Sequence, residues 1–346
     1  ACGSGHMLTY AFDLLYAIYE EEGYDAAEIP RLILTQNLYG IEIDERAGAL
    51  AAFALTMKAA ARRKRFLRRG VQPNVCVLEP VKFEVGELND YMDAIGRDLF
   101  TAPLRHTLSQ FEESDNFGSL IRPALTDVSG VRQIIEGKDV GSNLFLRNVH
   151  VRVQKVLRMA DYLGPKYHVV VANPPYAGVK GLNDRLAAWL DKEFPIESSD
   201  LMTAFMKRCQ LLCIKNGSWG MINLPSWMFL SSYKGLRSWF LRQQHISSLV
   251  HLGRGVFGAD FGAVAFSALN TIPHDESKMI CRRLFEKFSI VRTNEEIERL
   301  FLSSDFGKYK ARQASFTKIP DSPLAYWLSE AAISSFEVRE PLAQIA

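Results

Sequence analysis

The feature that most restricts the fold of this chain is a β-branched run that ends at two prolines. Tyr167–Ala172 reads Tyr-His-Val-Val-Val-Ala and continues directly into Asn-Pro-Pro-Tyr at residues 173–176. An unbroken run of this kind is expected of a strand that is buried on both faces of a parallel sheet. Proline cannot donate to a strand ladder, so the strand should end at Ala172 and lead into a stiff loop.

Strands and helices are predicted to alternate along most of the chain. This alternation predicts the α/β class, with a mostly parallel sheet flanked by helices. A helical insertion is expected at about 87–163, before the strand that ends at Ala172. The predicted strands are residues 38–44, 74–78, 167–172, 219–224, 248–252 and 263–268, and the predicted helices outside the insertion are residues 7–19, 45–69, 200–214, 236–241 and 294–301.

Residues 1–272 are predicted to form one main domain, and residues 273–346 form an extension in which the pattern weakens. The first residues, Ala-Cys-Gly-Ser-Gly-His, read as a small-residue turn that feeds a helix. Such a turn normally connects a strand to a helix, and no strand precedes it here. We therefore expect a domain that lacks its first strand.

The composition is typical of a soluble globular protein, with 48% hydrophobic and 23% charged residues. No apolar run reaches the roughly 18 residues that a membrane span needs, and the amino terminus does not read as a signal peptide. We therefore expect a cytoplasmic protein. The formal net charge of +2 is too small to indicate a nucleic-acid binder, so contacts to phosphates would need a local basic patch.

The five cysteines indicate neither a metal site nor a disulfide framework. They form no Cys-x-x-Cys pair with matching histidines, and their number is odd. None follows a proline, whereas a cytosine-C5 methyltransferase would need a Pro-Cys nucleophile. We therefore predict no metal and reduced thiols at Cys2, Cys76, Cys209, Cys213 and Cys281.

Two features near the amino terminus are typical of a nucleotide-type site. The small-residue turn lets the backbone approach a ligand closely, and the helix after it offers free N–H groups. Glu42 lies near the end of the next predicted strand, where an acid commonly accepts hydrogen bonds from ribose hydroxyls. An ordinary tight turn and a solvated strand-end acid remain open as alternatives.

The Asn-Pro-Pro-Tyr loop carries groups that suit transfer to the amino group of an aromatic ring. The lone pair of such an amine is delocalised, so the loop must hold both N–H hydrogens and let the nitrogen pyramidalise. The Asn173 side chain and the Pro174 carbonyl offer two acceptors, and the prolines Pro174 and Pro175 fix them in advance. Tyr176 can stack on a base that has left a duplex. A proline turn with a buried tyrosine is the structural alternative.

Three motifs in this order resemble the S-adenosylmethionine (SAM) dependent N6-adenine DNA methyltransferases. They are the amino-terminal turn, the Tyr-Gly-Ile-Glu-Ile-Asp strand at 39–44 and Asn-Pro-Pro-Tyr. Residues 3–8, 12–23, 116–121 and 319–327 are also similar to methyltransferases of the BREX bacteriophage-exclusion system. This similarity covers nearly the whole chain.

The resemblance implies a Rossmann-like class I methyltransferase fold, SAM as the cofactor and a double-stranded DNA substrate. It also implies a role in marking host DNA, with other proteins of a phage-defence complex as partners, and a target-recognition region beyond residue 346. Asn173, Pro174, Pro175 and Tyr176 would hold the target adenine. The residues implied for SAM are Ala1, Cys2, Gly3, Ser4 and Gly5 for the methionine part, Glu42 for the ribose, and Ile43 and Glu79 for the adenine ring.

Four of the positions implied by the resemblance have structural alternatives of similar weight. Glu79 is displaced from the usual place of the adenine-ring acid and also reads as a plain strand-end acid. Asn116 and Phe117 could close the cofactor pocket or form a helix-capping turn. Phe257 resembles an aromatic that packs on the flipped base, with an ordinary core phenylalanine as its rival.

Two other functions remain open at this point. A protein-glutamine N-methyltransferase would present the same amide-like nitrogen to Asn-Pro-Pro-Tyr, although such enzymes end near their last strand and this chain continues beyond it. A DNA-binding scaffold could keep the fold and lack turnover. The intact acceptor residues favour the DNA methyltransferase.

Overall fold

The structure, a computed structural model, describes residues 2–84, 86–96, 101–164, 166–258 and 260–338. For Lys64, Phe257, Glu337 and Val338 it describes the backbone alone. The chain divides into two compact units, unit 1 at Ala1–Gly164 and unit 2 at Pro165–Ala346. The predicted boundary at residue 272 remains a prediction, and the sheet of unit 2 continues beyond it.

Unit 1 contains a two-stranded parallel sheet with helices around it. Strands β1 (Tyr39–Glu42) and β2 (Asn74–Val77) run parallel, and Glu42 lies opposite Val77. The α-helices of this unit are α1 (His6–Glu21), α2 (Ile29–Leu32), α3 (Glu45–Arg62), α4 (Glu87–Ile95), α5 (Ala102–Gln110), α6 (Ser114–Phe117), α7 (Val128–Glu136) and α8 (Leu144–Tyr162).

The core of unit 1 follows from helical periodicity. Leu8, Phe12 and Tyr16 recur every four residues on α1 and are buried. They belong to one apolar cluster with Leu55 of α3. Helix α3 begins where the Asp44 side chain accepts a hydrogen bond from the Ala47 N–H at 2.8 Å, which satisfies one free donor of the first turn.

The predicted helical insertion is confirmed, since helices α4 to α8 occupy the segment between β2 and the strand that ends at Ala172. The long helix α8 begins at Asn143, whose side chain accepts hydrogen bonds from the N–H groups of Phe145 and Leu146. It buries Val149, Val153 and Val156 together with further apolar side chains of the same face.

Unit 2 contains a six-stranded sheet in the order β3-β4-β6-β5-β7-β8. The ladders β3–β4 and β5–β7 are parallel, and the other three are antiparallel. The strands are β3 (Tyr167–Ala172), β4 (Cys213–Asn223), β5 (His245–Arg254), β6 (Gly262–Leu269), β7 (Lys278–Arg283) and β8 (Lys308–Arg312), and the helices are α9 (Asp184–Glu193), α10 (Leu201–Leu212), α11 (Lys234–Gln243), α12 (Asn294–Leu302) and α13 (Glu330–Val338).

The α/β class is confirmed, but the prediction of a mostly parallel sheet is wrong for unit 2, whose sheet is mixed. Strand β6 follows β5 after a short connection, and a short connection permits only an antiparallel neighbour. Strands β7 and β8 were not predicted. Their outward positions are mostly charged, so no apolar run marks them in the sequence.

Strand β3 ends at Ala172 as predicted, but the prediction that it is buried on both faces is wrong within this structure. Val169 is 64% exposed and Val171 is 53% exposed. Val169 and Val171 lie on the same face of the sheet, which is open at β3, the edge strand of the unit 2 sheet that pairs there with β4 alone. An edge strand lacks a neighbour on one side, whatever its sequence.

The core of unit 2 is aromatic. The rings of Trp219, Trp227, Phe240 and Phe266 lie 5.2–5.7 Å apart between centroids, mostly in tilted or edge-to-face contacts. The Trp219 indole N–H donates to the Gln244 side chain at 2.9 Å, which satisfies the one polar atom that this ring buries.

Helix α11 is tied to two turns by one buried guanidinium. Arg237 donates to the carbonyls of Trp227 at 2.8 Å, Leu230 at 2.6 Å and Asp321 at 3.0 Å. Asp321 and Ser322 have φ angles of 60° and 52°, so the turn predicted at 320–323 is present. Among the described residues, no helix is both long and apolar enough to cross a bilayer.

Candidate functional site

The amino-terminal turn of unit 1 depends on two glycines. Gly3 and Gly5 have φ angles of 55° and 86°, in the left-handed region that favours glycine. A Cβ at Gly5 would lie 2.9 Å from the Cβ of Ala51, so a larger residue would collide with α3. A Cβ at Gly3 would meet no atom within 4 Å, so the space beside this residue is open.

Glu42 joins this turn to the end of β1. Its carboxylate is buried, with the residue 6% exposed, and accepts the Gly3 N–H at 2.7 Å. The other oxygen accepts the N–H groups of Ile43 at 2.9 Å and Asp44 at 3.3 Å. The structure therefore brings the predicted turn and the predicted ribose acid together, and Glu42 is no solvated strand-end acid.

The other predicted residues of this turn lie around Glu42. The Cys2 N–H donates to the Ile41 carbonyl at 2.9 Å, and burial raises the pKa of the Cys2 thiol, with the Glu42 charge adding to the effect. The Ser4 hydroxyl lies 2.9 Å from His6 Nδ1. The prediction for Ala1 falls outside the described residues.

The segment after α6 approaches the same strand end. Gly118 has φ 54° and ψ −142°, and a Cβ there would lie 2.9 Å from Cγ2 of Ile43. Phe117 is buried and precedes this close contact, whereas Ile43 is 47% exposed. The Asn116–Phe117 segment therefore ends helix α6 and also lies near Ile43, the residue that the resemblance assigns to the adenine ring of SAM.

Glu79 follows β2 and forms an ion pair with another element of unit 1. Its carboxylate lies 2.6 Å from the Lys155 ammonium, and both side chains are about half exposed. An exposed pair of this kind stabilises a fold only weakly, so the carboxylate could exchange this partner. Its assignment to the adenine ring remains a proposal.

In unit 2, the Asn-Pro-Pro-Tyr loop begins where β3 ends. The Tyr176 hydroxyl donates to Oδ1 of Asn173 at 3.0 Å and lies 3.4 Å from the Ile222 carbonyl. Asn173 is exposed, Pro174 is buried and Pro175 is exposed. Burial raises the pKa of the Tyr176 phenol, so this group stays a protonated donor at neutral pH.

The loop is anchored by a residue that the sequence reading did not single out. Asp200 is buried, and its carboxylate accepts hydrogen bonds from the N–H groups of Met202, at 2.9 Å, and Ala177. The Leu201 N–H donates back to the Ala177 carbonyl at 2.9 Å, and Gly178 pairs with Asp200 in an isolated antiparallel bridge. The start of α10 therefore holds the residue that follows Tyr176.

An unpredicted aromatic residue packs against the loop. The rings of Phe261 and Tyr176 lie 5.7 Å apart and nearly perpendicular, and Phe261 is 38% exposed. Phe257 lies in the short 3-10 turn Val256–Gly258 of the same β5–β6 connection, and its side chain is outside the described part of the structure. Phe261 is the second phenylalanine of this connection, so the argument from the sequence that indicated Phe257 could also have indicated Phe261.

The candidate residues of the two units differ in chemistry. The turn of unit 1 presents open space beside Gly3 and a buried carboxylate, which suit a ligand with hydroxyls. The loop of unit 2 presents an amide oxygen, a proline carbonyl and two aromatic rings, which suit a planar amine. No group of three or more His, Cys, Asp or Glu side chains that could hold a metal ion is found within the described ranges.

Comparison with known proteins identifies a family and two curated relatives. The family model described as Eco57I restriction-modification methylase matches residues 36–257. The adenine-specific methyltransferase BrxX of Escherichia coli O9:H4 (strain HS) is 36% identical over 97% of this chain, and the adenine-specific methyltransferase PglX of Lacticaseibacillus casei (strain Zhang) is 31% identical over 95%. The chain spans 30% and 28% of the lengths of these relatives.

A solved structure shares the fold at low sequence identity. It is a nuclease-deletion mutant of the Type ISP restriction-modification enzyme LlaGI in complex with a DNA substrate mimic. Its TM-score is 0.57 at 12% identity, over 94% of this chain and 24% of the LlaGI chain. The family model covers more than half of the chain and includes both Glu42 and the Asn-Pro-Pro-Tyr loop. This chain therefore belongs to the Eco57I restriction-modification methylase family.

Proposed function

We propose that the protein is a site-specific DNA methyltransferase that uses SAM to methylate N6 of adenine. The single observation that carries the proposal is the contact of 3.0 Å between the Tyr176 hydroxyl and Asn173 Oδ1 at the end of β3. It orders the side-chain acceptor and the aromatic ring together in a stiff loop. The names of both curated relatives, which are adenine-specific methyltransferases, support the same activity.

The loop residues would act by holding the target amine. The Asn173 side-chain oxygen and the Pro174 carbonyl would each accept one N–H of the adenine amino group, which draws the nitrogen lone pair out of conjugation. Because Asn173 Oδ1 now accepts the Tyr176 hydroxyl, the incoming amine would share or replace that bond. Tyr176 and an aromatic of the β5–β6 connection would offset the stacking that the flipped base loses.

The turn of unit 1 fits SAM in two respects. The open space beside Gly3 leaves room for a ligand next to the backbone, and Glu42 is a buried carboxylate, which suits ribose hydroxyls. Ala1, Cys2, Gly3, Ser4 and Gly5 would hold the methionine part, while Ile43 and Glu79 would flank the adenine ring. When bound, SAM supplies an electrophilic methyl group.

Double-stranded DNA is the proposed substrate, and the cytoplasm is the proposed location. The proposal extends to the marking of host DNA with other proteins of a phage-defence complex, because the two relatives and the BREX-like stretches cover nearly the whole chain. The chain spans less than a third of the length of either relative, so these partners are proposed by analogy with the relatives as a whole.

The test is methylation of DNA by the intact protein and its Asn173→Ala variant, with labelled SAM. We expect turnover to fall by roughly 100-fold or more, because one acceptor that acts in the transition state is lost. SAM affinity measured by calorimetry should stay within a few-fold, since Asn173 would touch the target amine and not the cofactor. Sequencing of modified bases in host DNA would identify the methylated adenine.

Three outcomes would contradict the proposal. Turnover of the Asn173→Ala variant within tenfold of the parent would mean that Asn173 does not hold the target amine. Label in protein acceptors and none in DNA would instead assign a glutamine methyltransferase. DNA and SAM binding without any turnover would leave a scaffold.

A further inference from the structure

Unit 2 contains a cavity of about 520 Å³ that the proposed function does not use. It lies at the sheet edge where β4, β5 and β7 end and β6 begins, and Gly262 lines it. Gly262 directly follows Phe261, whose ring contacts Tyr176. The cavity and the Asn-Pro-Pro-Tyr loop are therefore neighbours on one edge of one sheet. We call it the aromatic cavity, and its main walls are Phe229, His251, Phe285, Phe288 and Trp327, with Arg283.

The walls are rings that the described chain leaves partly uncovered. Phe288 is 43% exposed and Trp327 is 40% exposed. Phe285 and Phe288 lie 5.4 Å apart between ring centroids, and Phe229 and Trp327 lie 5.7 Å apart. Clustered exposed aromatic rings beside a cavity of this size are typical of a ligand site, because a soluble protein rarely leaves such surface open.

The lining of the cavity contains a neutral histidine, His251, and a cation, Arg283. Within the described residues, Arg283 has no carboxylate partner. His251 is 4% exposed, and burial together with the Arg283 charge lowers its pKa to about 4, so the imidazole is neutral at pH 7. The Arg283 guanidinium lies over the rings of Phe285 and Tyr309, at 5.8 and 5.5 Å. Among the described residues it forms no ion pair with an acid.

We propose that the aromatic cavity binds one nucleotide of the DNA substrate other than the target adenine. The base would pack against the exposed rings of Phe288 and Trp327, and its phosphate would lie at Arg283. Stacking on aromatic side chains with a cation for the backbone is how proteins hold unpaired nucleotides of any sequence. The inference rests on the proposed function, because it adds a second contact to the same DNA.

The geometry favours a nucleotide over an apolar segment of a protein. An apolar partner would gain nothing from the unpaired Arg283, whereas a nucleotide uses both the rings and the cation. The position also favours DNA, since an adenine at Tyr176 would lie close to Phe261, and Phe261 directly precedes Gly262 of the cavity wall. A Cβ at Gly262 would lie 2.4 Å from the Phe288 ring. The start of β6 therefore lies directly against one wall of the cavity.

The test measures binding of a duplex that contains the methylated site, by the intact protein and its variants. We expect Phe288→Ala and Trp327→Ala each to weaken binding roughly 5- to 100-fold through lost stacking. Arg283→Gln should reduce the slope of log affinity against log salt by about one, and Arg283→Lys should restore it. Ile272→Ala is the matched control, because this residue is apolar, 65% exposed and outside the cavity walls.

A fluorescent base distinguishes a nucleotide from other occupants. With 2-aminopurine placed singly around the target adenine, one further position should brighten on binding, and Trp327→Ala should abolish that signal but not the signal at the target. Parental affinity in both aromatic variants, or no second bright position, would overturn the inference while DNA methylation by the parent leaves the proposed function standing. A parent that neither binds nor methylates DNA would overturn both.

Discussion

Glu42 has a structural role that leaves room for the ribose contact proposed for it. Its two oxygens accept three backbone N–H groups, from Gly3, Ile43 and Asp44. A carboxylate has about four acceptor positions, so capacity for one more donor remains. The structural role therefore does not exclude the ribose contact that is proposed for it. It does mean that removal of the whole side chain would disturb the turn as well as the ligand.

Glu42→Gln is the sharper substitution for this reason, because it keeps the shape and one acceptor and removes the charge. We expect the free energy of SAM binding to weaken by about 1.5 to 3 kcal/mol, as charge-assisted hydrogen bonds are lost. Calorimetry with SAM measures this directly, and the exposed neighbour Glu45 supplies the control variant Glu45→Gln. Equal SAM affinity in parent and Glu42→Gln would restrict Glu42 to its role in the turn.

The aromatic partner of the target base can be assigned by comparing two phenylalanines. If Phe257 stacks on the base as the sequence predicts, Phe257→Ala should weaken DNA binding roughly 5- to 100-fold with little change in melting temperature. A core phenylalanine would instead cost about 3 to 5 kcal/mol of stability. Phe261→Ala tests the ring that contacts Tyr176. A DNA-binding loss in Phe261→Ala alone would move the assignment from Phe257 to Phe261.

At the scale of elements, the loop after β3 depends on the first turn of α10. Asp200 is the N-cap of this helix and at the same time accepts the Ala177 N–H, so one buried carboxylate serves the helix and the loop. The Thr203 hydroxyl adds hydrogen bonds of 2.6 Å to the carbonyls of Glu197 and Asp200. The end of this helix thus holds Ala177, the residue after Tyr176, and we expect it to keep the two proposed acceptors prearranged.

Asp200→Ala should therefore lower turnover per folded molecule by roughly 10- to 100-fold, because a small misplacement of the loop is costly in rate. Loss of the cap should also cost about 1 kcal/mol of stability. Asp200→Asn keeps an oxygen for the Met202 N–H but replaces the other with an NH2 group that cannot accept the Ala177 N–H, so it should recover most of the stability and little of the turnover. DNA methylation and thermal unfolding measure the two effects. Parental turnover in Asp200→Ala would show that α10 does not position the loop.

At the scale of the whole molecule, each unit buries one histidine in its neutral form. In unit 1, His150 lies within 2.6 Å of the Tyr91 hydroxyl and 2.8 Å of the Gln154 side chain, and burial lowers its pKa. In unit 2, His251 lies 3.1 Å from the Tyr326 hydroxyl, and its Nε2 has no hydrogen-bond partner among the described residues. Both groups should make folding sensitive to mild acid.

The sign of this effect follows from proton uptake. The folded His251 titrates at a pKa of about 4, whereas the imidazole of an unfolded chain titrates near 6.5. Between these values the unfolded state binds more protons, so the free energy of unfolding should fall as the pH drops from 6.5 towards 4. For His251 alone the loss is about 3 kcal/mol at most.

Urea unfolding of the parent and His251→Asn across this pH range tests the assignment. An asparagine side chain cannot titrate, so the variant should lose stability less steeply below pH 6.5 than the parent. The exposed His274 supplies the control, and His274→Asn should follow the parental slope. Parallel pH profiles for the parent and His251→Asn would mean that His251 is not a buried neutral group.

The sequence by itself determined the α/β class, the end of β3 at Ala172, the helical insertion and the residues of the turn and the Asn-Pro-Pro-Tyr loop. These follow from local causes, namely side-chain periodicity, proline and glycine geometry and the chemistry of short motifs. Helix α1, for example, is specified by apolar residues that recur along one face.

Only the tertiary structure decided the properties that depend on neighbours distant in sequence. The exposure of Val169 and Val171 reflects strand order, which no pattern within β3 encodes. Strands β7 and β8 are assigned from their pairing. Their outward positions are mostly charged, so the sequence lacks the apolar run by which a strand is predicted. Asp200 and Phe261 join the Asn-Pro-Pro-Tyr loop across long stretches of chain, and burial and hydrogen bonding of that kind arise only when the folded elements meet.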